Sequence, residues 1–181
     1  MLLDAEASQL LIVDVQARLA PAMPMRAAAI RAVARLLGAA QALEIPVTLS
    51  EHCADKIGPT VAELQNLLEG AAILPKRTFD ASKTPAFAAH IQALERTQLI
   101  VCGMEAHVCV LQSAMGFKAC GFEVAMVSDA SASRASDNHG AGMARARAHG
   151  IDVVTSEMVL FEWLRDADNP AFRQVLSLIK E

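Results

Sequence analysis

Tyrosine is absent from this chain, and only 4% of its 181 residues are aromatic. A base-stacking platform for nucleic acid needs such rings, so that class of partner is not expected. No block of basic residues occurs and the formal net charge is -4, which points away from phosphate backbones as well. No apolar run reaches the roughly 18 residues of a membrane span, so no membrane association is expected. Residues 1–11 carry neither a basic start nor a small-residue cleavage site, hence no secretory signal is read there. The four cysteines (Cys53, Cys102, Cys109, Cys120) fall in no CxxC or zinc-like spacing. They read as reduced thiols in a cytoplasmic protein.

What is present is 54% hydrophobic residues, much of it alanine, arranged as alternating apolar runs and helical patterns. Runs at 9–13, 46–50, 71–74, 98–102, 122–127 and 151–154 are short, apolar and without helical period, and so read as buried parallel strands. Helical spacing is found at 25–44, where Ile30, Val33, Leu36, Leu37 and Leu43 share a face. At 60–68, Thr60 reads as a cap with Glu63 at the capping-box position. Thr84 and Pro85 open a helix by the cap-then-proline signal, and 136–149 forms another, closed by Gly150. Two further helices begin near Ser156 and Asn169. Six strands alternating with helices predict one domain over residues 1–181. Its fold class is α/β, a three-layer α/β/α Rossmann-like arrangement of a six-stranded parallel sheet.

Ligands of such sheets sit beyond the carboxyl ends of the strands. Three chemically apt side chains fall there: Asp14 after the first strand, Lys76 after the third, and Cys109 after the fourth. Cys109 sits in the first turn of a predicted helix, where free N–H groups and the helix dipole favour thiolate. In that reading Cys109 is a nucleophile, Asp14 moves its proton, and the Lys76 ammonium supports both anions. The alternatives are a buried structural thiol, a loop cap at Asp14 and a solvated Lys76. The turn at Gly103-Met104-Glu105 is placed to aim N–H groups at an oxyanion. A nucleotide-binding sheet is disfavoured, because Asp14-Val15-Gln16-Ala17-Arg18 contains no glycine-rich turn. A redox-sensing role for Cys109 stays open.

Several stretches carry a family resemblance: Ile12-Val13-Asp14-Val15-Gln16, Ser50-Glu51-His52, Ile57-Gly58-Pro59-Thr60-Val61, Lys76, Gly103-Met104-Glu105-Ala106-His107-Val108-Cys109-Val110, and Ser128-Asp129-Ala130 with Ser133-Arg134. Together they resemble the isochorismatase-like cysteine hydrolases, the superfamily of nicotinamidase, isochorismatase and N-carbamoylsarcosine amidase. The nearest branch is that of the isochorismatase domain-containing proteins. The resemblance implies an Asp14–Lys76–Cys109 triad, a thioester on Cys109 and hydrolysis of a small amide-type C–N bond. It further implies a cis peptide between Met104 and Glu105, with Glu105 and Cys109 N–H groups as the oxyanion hole. A homo-oligomer is implied too, consistent with Phe161, Trp163 and Leu164 near the carboxyl terminus. Glu51, His52 and Phe79 are candidates for the substrate pocket. The metal-holding Asp-x-His of nicotinamidases is replaced by Ser50-Glu51-His52-Cys53, and no histidine lies between His52 and His90. No metal or other cofactor is therefore expected. The expectation is a small-molecule hydrolase, the alternative a catalytically silent binding or regulatory protein on the same fold.

Overall fold

The computed structural model describes residues 1–180. Six strands form one sheet: β1 (Ser8–Val13), β2 (Val47–His52), β3 (Ala72–Lys76), β4 (Gln98–Met104), β5 (Glu123–Ala132) and β6 (Asp152–Val154). Their spatial order is β3-β2-β1-β4-β5-β6 and every pairing is parallel. The order reverses between β1 and β4, which makes that gap the crevice of the sheet. Both strands are buried along their whole length. Their uninterrupted apolar sequence follows from helices covering both faces.

The helices are α1 (Arg26–Ala42), α2 (Ala54–Ile57), α3 (Ala62–Gln65), α4 (Pro85–Ala93), α5 (Leu111–Ala119), α6 (Ser136–Ala148), α7 (Ser156–Leu164) and α8 (Phe172–Lys180). Alternate residues of β1 point to opposite layers, as the strand period requires. Leu10 and Ile12 pack with α1, α7 and α8, whereas Leu11 and Val13 pack with α4, α5 and α6.

Four details depart from the sequence-based expectation. Thr60 does not cap a long helix. Its N–H and hydroxyl both donate to Glu51, Glu63 pairs with Arg26, and α3 is a single turn. Strand β5 continues through Ser128-Asp129-Ala130 to Ala132, pairing Gly103 with Ser131 after a register shift. Those polar residues resemble a loop in sequence, yet the Ser131 hydroxyl donates to the Val127 carbonyl and Ser131 is buried. The helix carrying Cys109 starts as a wide π turn, Ala106–Val110, before α5 begins. Finally, Trp163 and Leu164 lie in the core rather than on an association surface, and the Trp163 indole N–H donates to Ser8 at 2.9 Å. Of the three apolar residues in that segment, only Phe161 is exposed.

Candidate active site

Asp14 is the first residue past β1 and takes a left-handed backbone, φ 51°, which asparagine and aspartate tolerate better than most residues. The bend carries its carboxylate into the crevice, where it has no exposed side-chain surface. Two donors meet it. The Ser50 hydroxyl, from β2, reaches Oδ1 at 2.6 Å, and Lys76 Nζ reaches Oδ2 at 2.6 Å. Lys76 ends β3, two strands away, and its long stem crosses the end of β2. The ammonium also donates to the Thr78 carbonyl at 3.1 Å and is itself sealed from solvent. A buried ion pair of this kind persists only where further hydrogen bonds complete it, and both members have one.

Cys109 sits in the π turn beside this pair, 7% exposed. Burial, the Asp14 charge and its hydrogen bond push the thiol up to about 12, while Lys76 pulls the other way by charge and hydrogen bond. The expectation of a standing thiolate is thus reversed. Desolvation and the neighbouring Asp14 charge outweigh the helix start, so the neutral thiol is favoured at rest. Cys102 is a different case, fully enclosed in β4, where burial first and then Asp129 hold its thiol far above the ordinary range. Cys120 is exposed, and Cys53 is half-buried in the left-handed residue before α2.

The three remaining pocket candidates separate. Glu51 turns to Thr60 and acts as a loop clasp. His52 and Phe79 stay together, stacked with ring centroids 5.5 Å apart and planes at 26°. Burial, and next the Lys76 charge, lower the His52 pKa, so its ring is kept neutral beside the ion pair. Phe79 is 53% exposed. Among the described residues no three His, Cys, Asp or Glu side chains gather as a metal site.

The Met104–Glu105 peptide is cis. Among the described residues the Glu105 N–H donates to no backbone carbonyl, whereas the Glu105 carbonyl accepts from Val108 at 3.0 Å and Val110 at 3.2 Å. Gly103 is forced by the crossing at this point. At φ +124° a Cβ there would lie 2.0 Å from the Val13 carbonyl oxygen.

Three contributors escaped the reading of residues alone. Ser50 completes Asp14. Gln16 ties the β2 exit down by accepting from His52 N–H and donating to the His52 and Gly58 carbonyls. Arg134 grips the Glu105 carboxylate through its backbone N–H, Nε and Nη2. All three stand inside the quoted motifs, but their partners depend on strand register.

A doubly wound parallel sheet with thiol, carboxylate and ammonium converging at its switch point defines a class of α/β protein. An isochorismatase domain matches residues 8–158, and the chain belongs to that family. Isochorismatase domain-containing protein 2A of Mus musculus is 31% identical over 177 residues, covering 97% of this chain and 84% of that one. Among solved structures, MAR1 ribonuclease from Caenorhabditis elegans superposes with a TM-score of 0.90 at 28% identity, covering 99% of this chain and 92% of that one. YcaC from Pseudomonas aeruginosa, solved with hexane-2,5-diol and covalent acrylamide, gives 0.90 at 27%, covering 97% and 90%.

Proposed function

We propose that this chain is a cysteine hydrolase that cleaves a small amide-type C–N bond through a thioester on Cys109. The observation that carries the reading is the sealed Asp14–Lys76 pair, whose two charges both bear on the Cys109 thiol in the adjacent turn. Because that thiol is neutral at rest, its proton passes to Asp14 as the sulfur attacks the carbonyl carbon. The carbonyl π electrons move to oxygen, and the oxyanion is met by the Glu105 and Cys109 N–H groups. Collapse breaks the C–N bond, the Asp14 proton goes to the departing nitrogen, and a thioester remains. Water then loses a proton to Asp14 as it attacks. The thioester C–S bond breaks, and the sulfur recovers its proton from Asp14. Lys76 keeps the carboxylate in place and charged between transfers. His52 and Phe79 border the acyl group. An assembly of several copies belongs to the same reading, with the exposed Met158 and Phe161 of α7 as apolar contact residues.

The covalent acrylamide in the Pseudomonas YcaC shows that a related structure accepts a small amide-bearing electrophile. Acrylamide is therefore the probe of choice. Peptide mapping by mass spectrometry should show Cys109 modified faster than the more exposed Cys53 and Cys120. Asp14→Asn should slow it by roughly a hundredfold or more, the scale of a lost general base. Equal rates at the three thiols would remove the nucleophile assignment. A panel of small amides, carbamoyl compounds and RNA identifies the substrate class, with Cys109→Ala as the blank. Turnover of none of them, with Cys109 still fast, would favour the silent binding protein.

A further inference from the structure

We propose that Arg134 is a positioning residue for the turn that carries Cys109, acting through the Glu105 carboxylate. This rests on the reading of Cys109 as the nucleophile.

Glu105 links β4 to the π turn. Its carbonyl accepts the Val108 and Val110 N–H groups, so moving Glu105 moves the turn on which the sulfur rides. Its side chain is only 6% exposed, and a carboxylate enclosed to that degree is costly unless paired. Arg134 lies two residues past β5 and supplies the pairing from outside, its own side chain 62% exposed. Nη2 donates to Oε1 at 2.6 Å, Nε donates to both oxygens at 3.0–3.1 Å, and the Arg134 backbone N–H donates to Oε2 at 3.0 Å. A planar fork on a carboxylate fixes orientation as well as distance. The neighbouring Ser133 adds a second tie between the same segments, its hydroxyl 3.0 Å from His107 Nδ1. The β5 exit thus clamps the Cys109 turn at residues 105 and 107. An exposed arginine on a solvated glutamate would contribute almost nothing. Here the glutamate is enclosed and continuous with the reacting segment.

The charged and titratable groups facing Glu105 are Arg134 and His107. Burial pushes the Glu105 carboxyl upward, and the Arg134 hydrogen bonds and charge more than reverse it, leaving the pKa below the usual value. The clamp in the native protein therefore holds down to acid pH, and loosens only as pH falls through that lowered value. Without Arg134 only the His107 charge, the smallest of the contributions, opposes burial. Glu105 then takes up a proton at a pH above its ordinary value near 4.5.

The test uses the full chain, with acrylamide labelling of Cys109 followed from about pH 5 to about pH 8. Arg134→Gln should label Cys109 roughly ten- to a hundredfold more slowly, the cost of a displaced nucleophile. It should also acquire an acid limb that the wild type lacks over that range. Adding Glu105→Gln should abolish the new limb, since no carboxyl is left to titrate. Arg134→Lys should recover part of the rate, because it restores the charge without the fork. A fast wild type with an equally fast Arg134→Gln overturns the clamp alone. So does a slow Arg134→Gln whose pH profile is unchanged and which lysine does not rescue. A wild-type Cys109 no faster than Cys53 overturns the nucleophile reading and this one with it. If Arg134→Gln does not fold, Arg134→Lys carries the test, and a wild-type rate there overturns the proposal.

Discussion

Lys76 and Asp14 form an ion pair with no side-chain exposure on either member, and the consequences of removing one follow from that enclosure. Lys76→Met leaves an anion in the crevice with only Ser50 to donate to it. The loss should be about 3–5 kcal/mol, the usual result of stripping one partner from a buried pair. The double variant Asp14→Asn/Lys76→Met carries no buried charge and should be more stable than Lys76→Met alone. Urea unfolding of the three proteins measures this, and a cost for Lys76→Met under about 1 kcal/mol would mean that water reaches the pair. At this scale the sequence exposes strand-end residues but not their partners. Asp14, Lys76 and Cys109 are each findable because an apolar run stops just before or shortly before them. Ser50 is not, since its role depends on β2 lying beside β1 with Ser50 level with Val13. The charge state of Cys109 is also hidden. Its helix-start position is local and readable, while the burial that dominates it is a property of the whole fold.

Elements show the same division between local and distant causes. The strands declare themselves as unbroken apolar runs and α6 as an alanine-rich stretch closed by Gly150, and Pro85 marks the start of α4 as expected. The long β5 does not, because its second half pairs with β4 only after a register shift around Gly103 and Ser131, and neither does the π turn. Two helical glycines give a direct test of what neighbouring elements demand. A Cβ at Gly116 in α5 would lie 2.3–2.5 Å from the Ser82 hydroxyl and the Asp80 carboxylate, groups of the turn between β3 and α4. At Gly140 in α6 it would meet nothing within 4 Å. Gly140→Ala should therefore stabilise by about 0.5–1 kcal/mol, the helix-propensity gain. Gly116→Ala should destabilise despite the same gain, since the Asp80 carboxylate would be pushed off the Ser82 N–H that it caps. Paired thermal melts report both, and a stabilising Gly116→Ala would show that the Ser82 turn yields freely.

Across the whole molecule, the chain ends are tied to the sheet and to the helix layer that covers β1. Trp163, the single tryptophan, is buried in α7 and donates to Ser8, the first residue of β1 and 155 positions earlier. The Met1 ammonium pairs with Asp152 of β6 at 2.7 Å, and Gln98 of β4 accepts from the Asp4 N–H at 2.7 Å. On the same face α8 lays Val175 and Leu178 over α1, with Leu178 atoms 3.1 Å from where a Cβ on Gly38 would stand. Nothing in this layer can loosen without exposing the underside of β1, the strand that delivers Asp14. Unfolding should accordingly be one cooperative step in which tryptophan emission and far-UV dichroism follow the same urea curve. The acrylamide rate at Cys109 should change from its native to its unfolded value over that same transition, because the Asp14–Lys76–Cys109 grouping spans three strands and has no local substructure. A tryptophan transition at lower urea would mean that α7 and α8 detach first and that the sheet holds its switch point without them. Trp163→Phe keeps most of the buried ring surface but deletes the bond to Ser8. It should shift the dichroism and labelling transitions together to lower urea by about 1 kcal/mol, the worth of one buried hydrogen bond.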